Sequence, residues 1–159
     1  MYVRWMKEED RLQVIEIYRQ GIEDRNATFE MTIDSDAFWN AITQCERFVL
    51  IKEDSIVGWG KLSRISERTV YSGIREVSIY VERSVRGKGG GRLLLETMVH
   101  FADTQGIWTL QSQLFPENEA SRRLHERLGF ELVGRRRAIA RHHGVWRDVL
   151  LLERRNDLR

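Results

Sequence analysis

The 159-residue chain contains little cysteine and proline, and it contains no long apolar run. Its single cysteine, Cys45, excludes an internal disulfide, and because no Cys or His partners stand at ligand spacing, we expect no metal site. No uncharged apolar stretch approaches the roughly 18 residues that a membrane-spanning helix needs. The first residues carry several charges and no long apolar core, so they do not resemble a secretory signal. We therefore expect a cytoplasmic protein without a membrane partner.

Lysine is also scarce, and the positive charge is carried mainly by arginine. Four lysines stand against 22 arginines, and the net charge is only +2. Several arginines cluster in GRRRAIARHH, which raises nucleic-acid binding as an alternative. Arginines that alternate along a strand, or that surround an anionic ligand, also explain this cluster. Because the net charge is low, these explanations are favoured and we expect no nucleic-acid partner.

The order of predicted elements indicates the fold class. The length and a hydrophobic share of 42% predict one domain that spans residues 1–159. Apolar residues at helical spacing predict helices over residues 8–22, 34–44, 93–103 and 118–129. Alternating or continuous apolar runs predict strands over residues 2–5, 47–54, 55–65, 75–82, 107–115, 131–141 and 145–155. We therefore expect a mixed α/β domain around a central sheet.

A glycine-rich segment, RGKGGGR at residues 86–92, separates a predicted strand from a predicted helix. Glycine in a helix costs about 1 kcal/mol relative to alanine, so the cluster needs an explanation in the backbone itself. The start of a helix exposes unpaired N–H groups that attract phosphate, and glycine lets several of them approach it. Arg86, Lys88 and Arg92 add positive charge. The segment is therefore predicted to bind a phosphate group.

The spacing of the glycines distinguishes this segment from other phosphate-binding loops. The patterns G-x-x-x-x-G-K-[ST] and G-x-G-x-x-G are both absent. Arg86, Gly89 and Gly91 instead spell R-x-x-G-x-G, which resembles the acyl-CoA signature of the GNAT acyltransferases. In order and spacing, further segments are similar to the phosphinothricin acetyltransferase-like branch of that family, namely NATFE, EVSIYV, NEASRRLHERLGF and GVWRDV.

This resemblance covers most of the second half of the chain and implies a single-domain GNAT fold. In that fold a central, mixed and mostly antiparallel sheet is flanked by helices, and two parallel strands splay apart to hold an acyl-CoA. We therefore expect acetyl-CoA as cosubstrate, no metal ion, and a β-bulge near residues 79–81 where strand pairing is incomplete. The residues implied to bind the cosubstrate are Ile79, Tyr80, Val81, Arg86, Gly87, Lys88, Gly89, Gly90, Gly91, Arg92, Asn118 and Ser121.

Glu76 is the candidate general base. Side chains alternate along a strand, so Glu76 lies on the face opposite Val77 and is not forced into the core. From the pattern alone, an ion pair with Arg75 or Arg68 explains this glutamate as well as catalysis does. The resemblance places Glu76 at the family's catalytic glutamate, where it would take a proton from the attacking amine. A strand N–H near residue 79 or 80 would stabilise the oxyanion.

His125 is the second catalytic candidate. The predicted helix places it on the same polar face as Asn118 and Ser121. The resemblance implies a position near the sulfur of CoA, where many GNAT enzymes have a tyrosine as general acid. His125 would then protonate the leaving thiolate. The alternative is an ordinary histidine on a half-exposed helix face.

The acceptor site is predicted from loops that build it in this branch. Arginines there suit an acceptor that carries a carboxylate or a phosphinate-like group. Surface ion pairs and packing aromatics explain the same residue types on general grounds. The candidates for the acceptor site are Phe29, Arg68, Tyr71, Arg75 and Trp146.

The resemblance implies transfer of an acetyl group to the amine of a small amino-acid-like acceptor, by direct attack. The acceptors that it suggests are phosphinothricin, methionine sulfone or sulfoximine, and arsinothricin. Because YSGIRE differs from the related loop of the herbicide-inactivating enzymes, phosphinothricin itself is the less favoured of these. A protein N-terminus, a polyamine, or a non-catalytic acyl-CoA sensor are the alternatives. The branch commonly forms homodimers, and the apolar last strand with Trp146 indicates a surface that needs cover.

Overall fold

The computed structural model describes residues 1–156, which form seven strands and four α-helices in one mixed α/β domain. The strands are β1 Tyr2–Trp5, β2 Glu46–Lys52, β3 Ser55–Arg64, β4 Ile74–Val81, β5 Thr109–Leu114, β6 Glu131–His142 and β7 Val145–Arg155. The helices are α1 Arg11–Asp24, α2 Ser35–Ile42, α3 Gly90–Thr104 and α4 Glu119–Arg127. The predicted elements are all present, and their ends differ from the prediction by a few residues.

The helix starts follow local chemistry. The carboxylate of Asp34 accepts a hydrogen bond from the Ala37 N–H and caps α2. The Asn118 side chain accepts from the Ser121 N–H and caps α4 in the same way. The region predicted as one helix from residue 8 begins with a short 3-10 turn, so α1 starts only at Arg11.

The sheet has the strand order β1-β2-β3-β4-β5-β7-β6, and its only parallel pair is β4 with β5 within residues 1–156. That pair extends over three residues of each strand, from Ile74 opposite Thr109 to Glu76 opposite Gln111. Beyond this point the two strands separate. The mixed, mostly antiparallel sheet and its splayed pair are therefore as predicted.

The predicted β-bulge near residues 79–81 is wrong. Pairing between β3 and β4 runs without a register shift from Gly58 opposite Val81 to Arg64 opposite Arg75. The shift lies instead between β2 and β3, where Val57 is the extra residue in β3. The carbonyl of Val57 accepts a hydrogen bond of 2.8 Å from the Glu82 N–H. Strand β4 can leave β5 without a bulge of its own, because the β4–β5 pairing simply ends.

Helices cover both faces of the sheet, and each face has its own core. On one face, α1 and α2 pack against Trp59 and its neighbours in β2 and β3. On the other face, Leu94, Leu95 and Met98 of α3 pack against Leu62 and further strand residues. Strand alternation assigns successive residues to the two faces. Within residues 1–156, no helix is long and apolar enough to cross a membrane.

Candidate active site

A large cavity of about 800 Å³ lies where β4 diverges from β5. Strand β4, the glycine-rich segment, α4 and the end of α1 line it. Of the residues predicted to bind the cosubstrate, all but Lys88 and Gly90 line this cavity, namely Ile79, Tyr80, Val81, Arg86, Gly87, Gly89, Gly91, Arg92, Asn118 and Ser121. The structure thus brings together a strand, a loop and a helix start that are separate in the sequence.

The glycines of the glycine-rich segment have different structural roles. Gly87 and Gly89 have φ angles of +76° and +86°, in the region that other residues rarely adopt. Gly91 lines the large cavity, and a Cβ on it would stand 3.4 Å from Leu124 and 3.7 Å from Val81. Gly90 is buried and faces away, because a Cβ there would come within 2.8 Å of the Leu50 side chain. The absent side chain of Gly90 therefore serves packing, and only its backbone N–H belongs to the first turn of α3.

The start of α3 is suited to bind an anion. The Leu93 N–H bonds to the Gly89 carbonyl, so the preceding N–H groups of the first turn have no partner within the helix. These groups belong to residues 90–92, and the absent side chain of Gly91 keeps the approach to them open. A phosphate fits this cradle, and the CoA pyrophosphate is such a group.

The cations near the cradle already have partners. The Arg86 guanidinium donates a hydrogen bond of 3.0 Å to the Val81 carbonyl and pairs with Asp24 at 2.5 Å. Arg92 pairs with Glu96 at 2.7 Å, four residues further along α3. These exposed pairs are weak, so a phosphate can compete with the carboxylates for both guanidinium groups.

The backbone of β4 offers hydrogen-bonding groups to the large cavity. The Gly73 carbonyl accepts from the Trp108 N–H at the beginning of β5, at 2.9 Å. Because backbone groups alternate in direction along a strand, those of residues 77, 79 and 81 point the same way. Strand β5 has diverged at that level, so the groups of Ile79 and Val81 face the cavity. Those of Tyr80 point to β3.

A small cavity of about 240 Å³ adjoins the large one. Ala27 lines both cavities, and β4 passes from one to the other. Aromatic, apolar and amide side chains make up most of the wall. The residues that line the small cavity are Ala27, Thr28, Phe29, Glu76, Val77, Ser78, Gln113, Leu114, Phe115 and Val149.

Glu76 is the carboxylate in the wall of the small cavity. Its Oε1 accepts hydrogen bonds from the side-chain amides of Gln111, at 3.2 Å, and Gln113, at 2.6 Å. Both bonds use Oε1, which leaves Oε2 without a hydrogen bond to any residue from 1 to 156. Neither Arg75 nor Arg68 pairs with it, because Arg75 bonds to Glu46 and Arg68 lies over Tyr71. The geometry therefore holds the carboxylate in place and leaves one oxygen available.

His125 lies elsewhere than predicted. It is 1% exposed, packs its ring against Phe130 at a centroid distance of 4.9 Å, and lines neither cavity. Its Nδ1 donates a hydrogen bond of 2.7 Å to the Ser121 carbonyl. Burial lowers the pKa of His125, and the bond to Ser121 acts in the opposite direction. The expected general acid and the expected half-exposed histidine are both corrected, because the ring belongs to the core beneath α4.

Arg75 also differs from its predicted role at the acceptor site. It is 7% exposed, and its guanidinium donates to both carboxylate oxygens of Glu46, at 2.9 and 3.3 Å. A third bond of 2.7 Å reaches the Ser72 carbonyl. A buried charge needs such partners, so Arg75 has a structural role and is not directed at a ligand.

The other acceptor candidates separate into two places. Phe29 lines the small cavity and meets Phe115 edge-on at 4.8 Å. Arg68, Tyr71 and Trp146 are exposed and line neither cavity. The Arg68 guanidinium lies 5.5 Å from the Tyr71 ring centre, a cation–π contact. Trp146 makes the same kind of contact with Arg141 in the β6–β7 hairpin.

The sequence analysis did not identify Thr28, Gln113 and Phe115 of the small cavity, nor Gln111, which bonds to Glu76 beside it. Gln111 and Gln113 alternate with buried residues of β5, which was a readable signal that they share a face. That this face adjoins Glu76 follows only from the parallel pairing of β4 with β5. Thr28 and Phe115 come from loops whose positions depend on the whole fold. No cluster of His, Cys, Asp or Glu that could hold a metal ion occurs within residues 1–156.

Comparison with known proteins gives a consistent result. The sequence profile of the acetyltransferase (GNAT) family matches residues 8–130. The L-amino acid N-acyltransferase MnaT of Escherichia coli (strain K12) is 29% identical over 100% of this chain and 96% of its own length. The L-methionine sulfoximine/L-methionine sulfone acetyltransferase of Pseudomonas paraeruginosa is 26% identical over 88% of this chain and 86% of its own.

A solved structure of similar fold supports the same assignment. It is a GNAT superfamily phosphinothricin acetyltransferase from Sinorhizobium meliloti in complex with AcCoA. The two share 29% identity with a TM-score of 0.88, over 96% of this chain and 86% of the other. The chain therefore belongs to the GNAT acetyltransferase family. Within it, the chain is an acetyl-CoA-dependent N-acetyltransferase of the phosphinothricin acetyltransferase-like branch.

Proposed function

We propose that this enzyme acetylates the amino group of a small amino-acid-like acceptor that binds in the small cavity, with Glu76 as general base. The observation that carries the proposal is the position of Glu76. Its carboxylate lines the small cavity on the strand that continues into the large cavity. An amine bound there lies between the base and the large cavity, where the donor is held.

The donor side of the proposal uses the large cavity. Backbone N–H groups of residues 90–92, with Arg86 and Arg92, would hold the CoA pyrophosphate, and the backbone of Ile79 and Val81 would hold the pantetheine. When bound, acetyl-CoA would supply a thioester carbonyl that a neutral amine attacks directly, so that the N–C bond forms, the C–S bond breaks and CoA leaves as the thiolate. The N–H of Ile79 faces the cavity and is our candidate for stabilising the oxyanion.

Glu76 would remove the proton from the acceptor amine. The α-amino group of a peptide has a pKa of about 7.7 to 8.0 and is mostly protonated at neutral pH, that of a free amino acid even more so, and only the neutral form attacks. Glu76 would accept the proton directly or through a water molecule. Gln111 and Gln113 hold the carboxylate in position through Oε1, so Oε2 is the oxygen that we assign to the proton. His125 takes no part in this scheme.

The acceptor class rests on the cavity and on the names of relatives. A volume of about 240 Å³ suits a molecule of amino-acid size. Relatives of the chain are an L-amino acid N-acyltransferase and a methionine sulfoximine/sulfone acetyltransferase. We therefore propose methionine sulfone, methionine sulfoximine, phosphinothricin or arsinothricin as acceptor types, which would make the activity protective against toxic amino-acid analogues.

The test is release of thiol from acetyl-CoA by the wild-type enzyme with a panel of acceptors. The panel contains these four analogues, methionine itself, spermidine and a short peptide with a free N-terminus. We expect saturable turnover with at least one amino-acid analogue and little with spermidine or the peptide. Turnover only with the polyamine or the peptide contradicts the acceptor class. Tight acetyl-CoA binding without any turnover contradicts the enzymatic proposal and favours a sensor.

We further propose that the enzyme is a cytoplasmic homodimer. The β6–β7 hairpin presents apolar side chains to solvent, among them Val145 and Trp146, each 61% exposed, and Val133, 55% exposed. A second copy of the chain would cover this surface. Light scattering should give twice the mass of one chain for the wild type. A monomer at micromolar concentration would contradict the dimer, and Trp146→Arg is expected to weaken it.

A further inference from the structure

The five residues that follow α1, Arg25 to Phe29, form a wall shared by the two cavities; we call residues 25–29 the wall segment. Asn26 and Ala27 line the large cavity, and Ala27, Thr28 and Phe29 line the small one. The wall segment begins at Arg25, which ends α1 with a left-handed φ of +59°. It contains no regular secondary structure, so side-chain contacts must define its position.

Arg147 of β7 makes two hydrogen bonds to the wall segment. Its Nη1 donates a hydrogen bond of 2.5 Å to the Arg25 carbonyl, and its Nη2 donates one of 3.1 Å to Oδ1 of Asn26. Nη2 also bonds to Glu117 at 3.2 Å, in the loop before α4. A second support comes from Asn118, whose Nδ2 donates to the Asn26 carbonyl at 3.3 Å.

The same guanidinium contacts the aromatic side of the small cavity. It lies 3.5 Å from the ring centre of Phe115, which in turn meets Phe29 edge-on. Nη1 also donates to Nδ1 of the buried His142 at 3.0 Å. The His142 ring stacks on Phe115 at 5.8 Å. One side chain thus joins the backbone of the wall segment to the aromatic cluster that lines the small cavity.

The hairpin directs Arg147 to this place. Opposite Asp148, strand β6 contains extra residues between Arg136 and Ala140. The Asp148 carboxylate accepts from the Ala138 N–H at 2.8 Å and from Arg135 at 2.7 Å, which closes the bulge. Only 13% of the Arg147 side chain is exposed, although it carries a full charge. A largely covered guanidinium that makes four hydrogen bonds through Nη1 and Nη2 is more than a surface ion pair.

We propose that Arg147 is a positioning residue for the acceptor. It acts by fixing the wall segment against Phe115. This inference rests on the proposed acetyltransferase function of the small cavity. Arg147 touches neither reactant, because it lines neither cavity. Lysine cannot replace it, because an ammonium group lacks the planar fork that reaches two acceptors on the wall segment and stacks on an aromatic ring.

The test compares Arg147→Lys and Arg147→Met with the matched control Arg154→Met. Arg154 also lies on β7, has a side chain 19% exposed, and forms two bonds of 2.9 Å with Asp103, away from both cavities. We expect both Arg147 variants to lower kcat/KM for the acceptor about 10- to 100-fold, mainly through KM. The Arg154 variant should lose stability but keep the wild-type KM.

A second readout does not depend on turnover. Hydrogen exchange of the backbone amides of residues 26–29 should be faster in both Arg147 variants than in the wild type, and unchanged in Arg154→Met. If wild type acetylates no acceptor, the proposed function fails while this exchange measurement still tests the positioning role. Unchanged exchange in Arg147→Lys, or an acceptor KM equal to that of wild type, would overturn the inference. Equal effects in Arg154→Met would overturn it too.

Discussion

Glu76 and Gln111 form the last residue pair of the parallel β4–β5 ladder, and the Glu76 carboxylate accepts a hydrogen bond of 3.2 Å from the Gln111 amide across it. Beyond this pair the strands separate; the small cavity adjoins Glu76, and the large cavity begins further along β4 at Ile79. The candidate base is thus held at the last paired residues of β4 and β5, beside the small cavity. A rigid position of this kind is what a general base requires.

Adjacent glycines at the start of α3 provide a sharp test of the phosphate cradle. Gly91→Ala adds a methyl group inside the large cavity at ordinary contact distances, so we expect about tenfold weaker acetyl-CoA binding without loss of stability. Gly90→Ala instead presses on Leu50 in the core and should lower the free energy of unfolding by about 1 to 3 kcal/mol, with binding little changed. Titration calorimetry measures the affinity of each variant for acetyl-CoA, and denaturant unfolding measures its free energy of unfolding. The reverse pattern would mean that the cradle is wrongly placed.

Substitution of Arg75 should lower the free energy of unfolding much more than substitution of Arg68. Arg75→Met leaves the Glu46 carboxylate without its buried partner and is expected to destabilise the protein by about 3 kcal/mol. Arg68→Met removes only an exposed contact with Tyr71 and should change stability by less than about 0.5 kcal/mol. Urea unfolding compares them. Similar values for the two variants would contradict the assignment of Arg75 to the core.

Two buried histidines predict an acid-sensitive fold. Burial lowers the pKa of His125 below the ordinary 6.5, and burial also lowers the pKa of His142, with the charges of His143, Arg147 and Arg25 adding to the effect. The unfolded chain therefore binds protons more readily than the folded one at pH values below about 6.5. The free energy of unfolding should fall as the pH decreases from about 7 to about 5. A double variant, His125→Asn with His142→Gln, should show a flatter profile; an equally steep one would assign the acid sensitivity to other groups.

Much of the site could be predicted from local patterns. Strand alternation separated Glu76 from the core residue Val77, and the glycine-rich segment marked the start of α3. Both inferences depend on neighbours within a few residues, which the sequence displays directly. Their agreement with the structure follows from the rigid geometry of strands and helix starts.

The remaining features depend on contacts between distant segments. Arg75 and Arg68 look alike in the sequence, and only the packing of Glu46 against Arg75 distinguishes them. His125 follows Ser121 at helical spacing, which predicts a shared polar face, yet the His125 ring packs against Phe130 in the core. Arg147 reaches the wall segment across more than a hundred residues of chain. The periodic pattern of apolar and polar residues in the sequence cannot indicate such contacts, because they form only when the sheet has assembled.

The most direct test of the account is turnover by Glu76→Gln, measured together with its affinity for acetyl-CoA. Glutamine keeps the shape and the hydrogen bonds of the side chain but cannot accept the proton. We expect an unchanged Kd for acetyl-CoA and a fall in kcat of about 100-fold, while the exposed Glu131→Gln serves as control and keeps the wild-type kcat. Wild-type turnover by Glu76→Gln would contradict the assignment of Glu76 as general base.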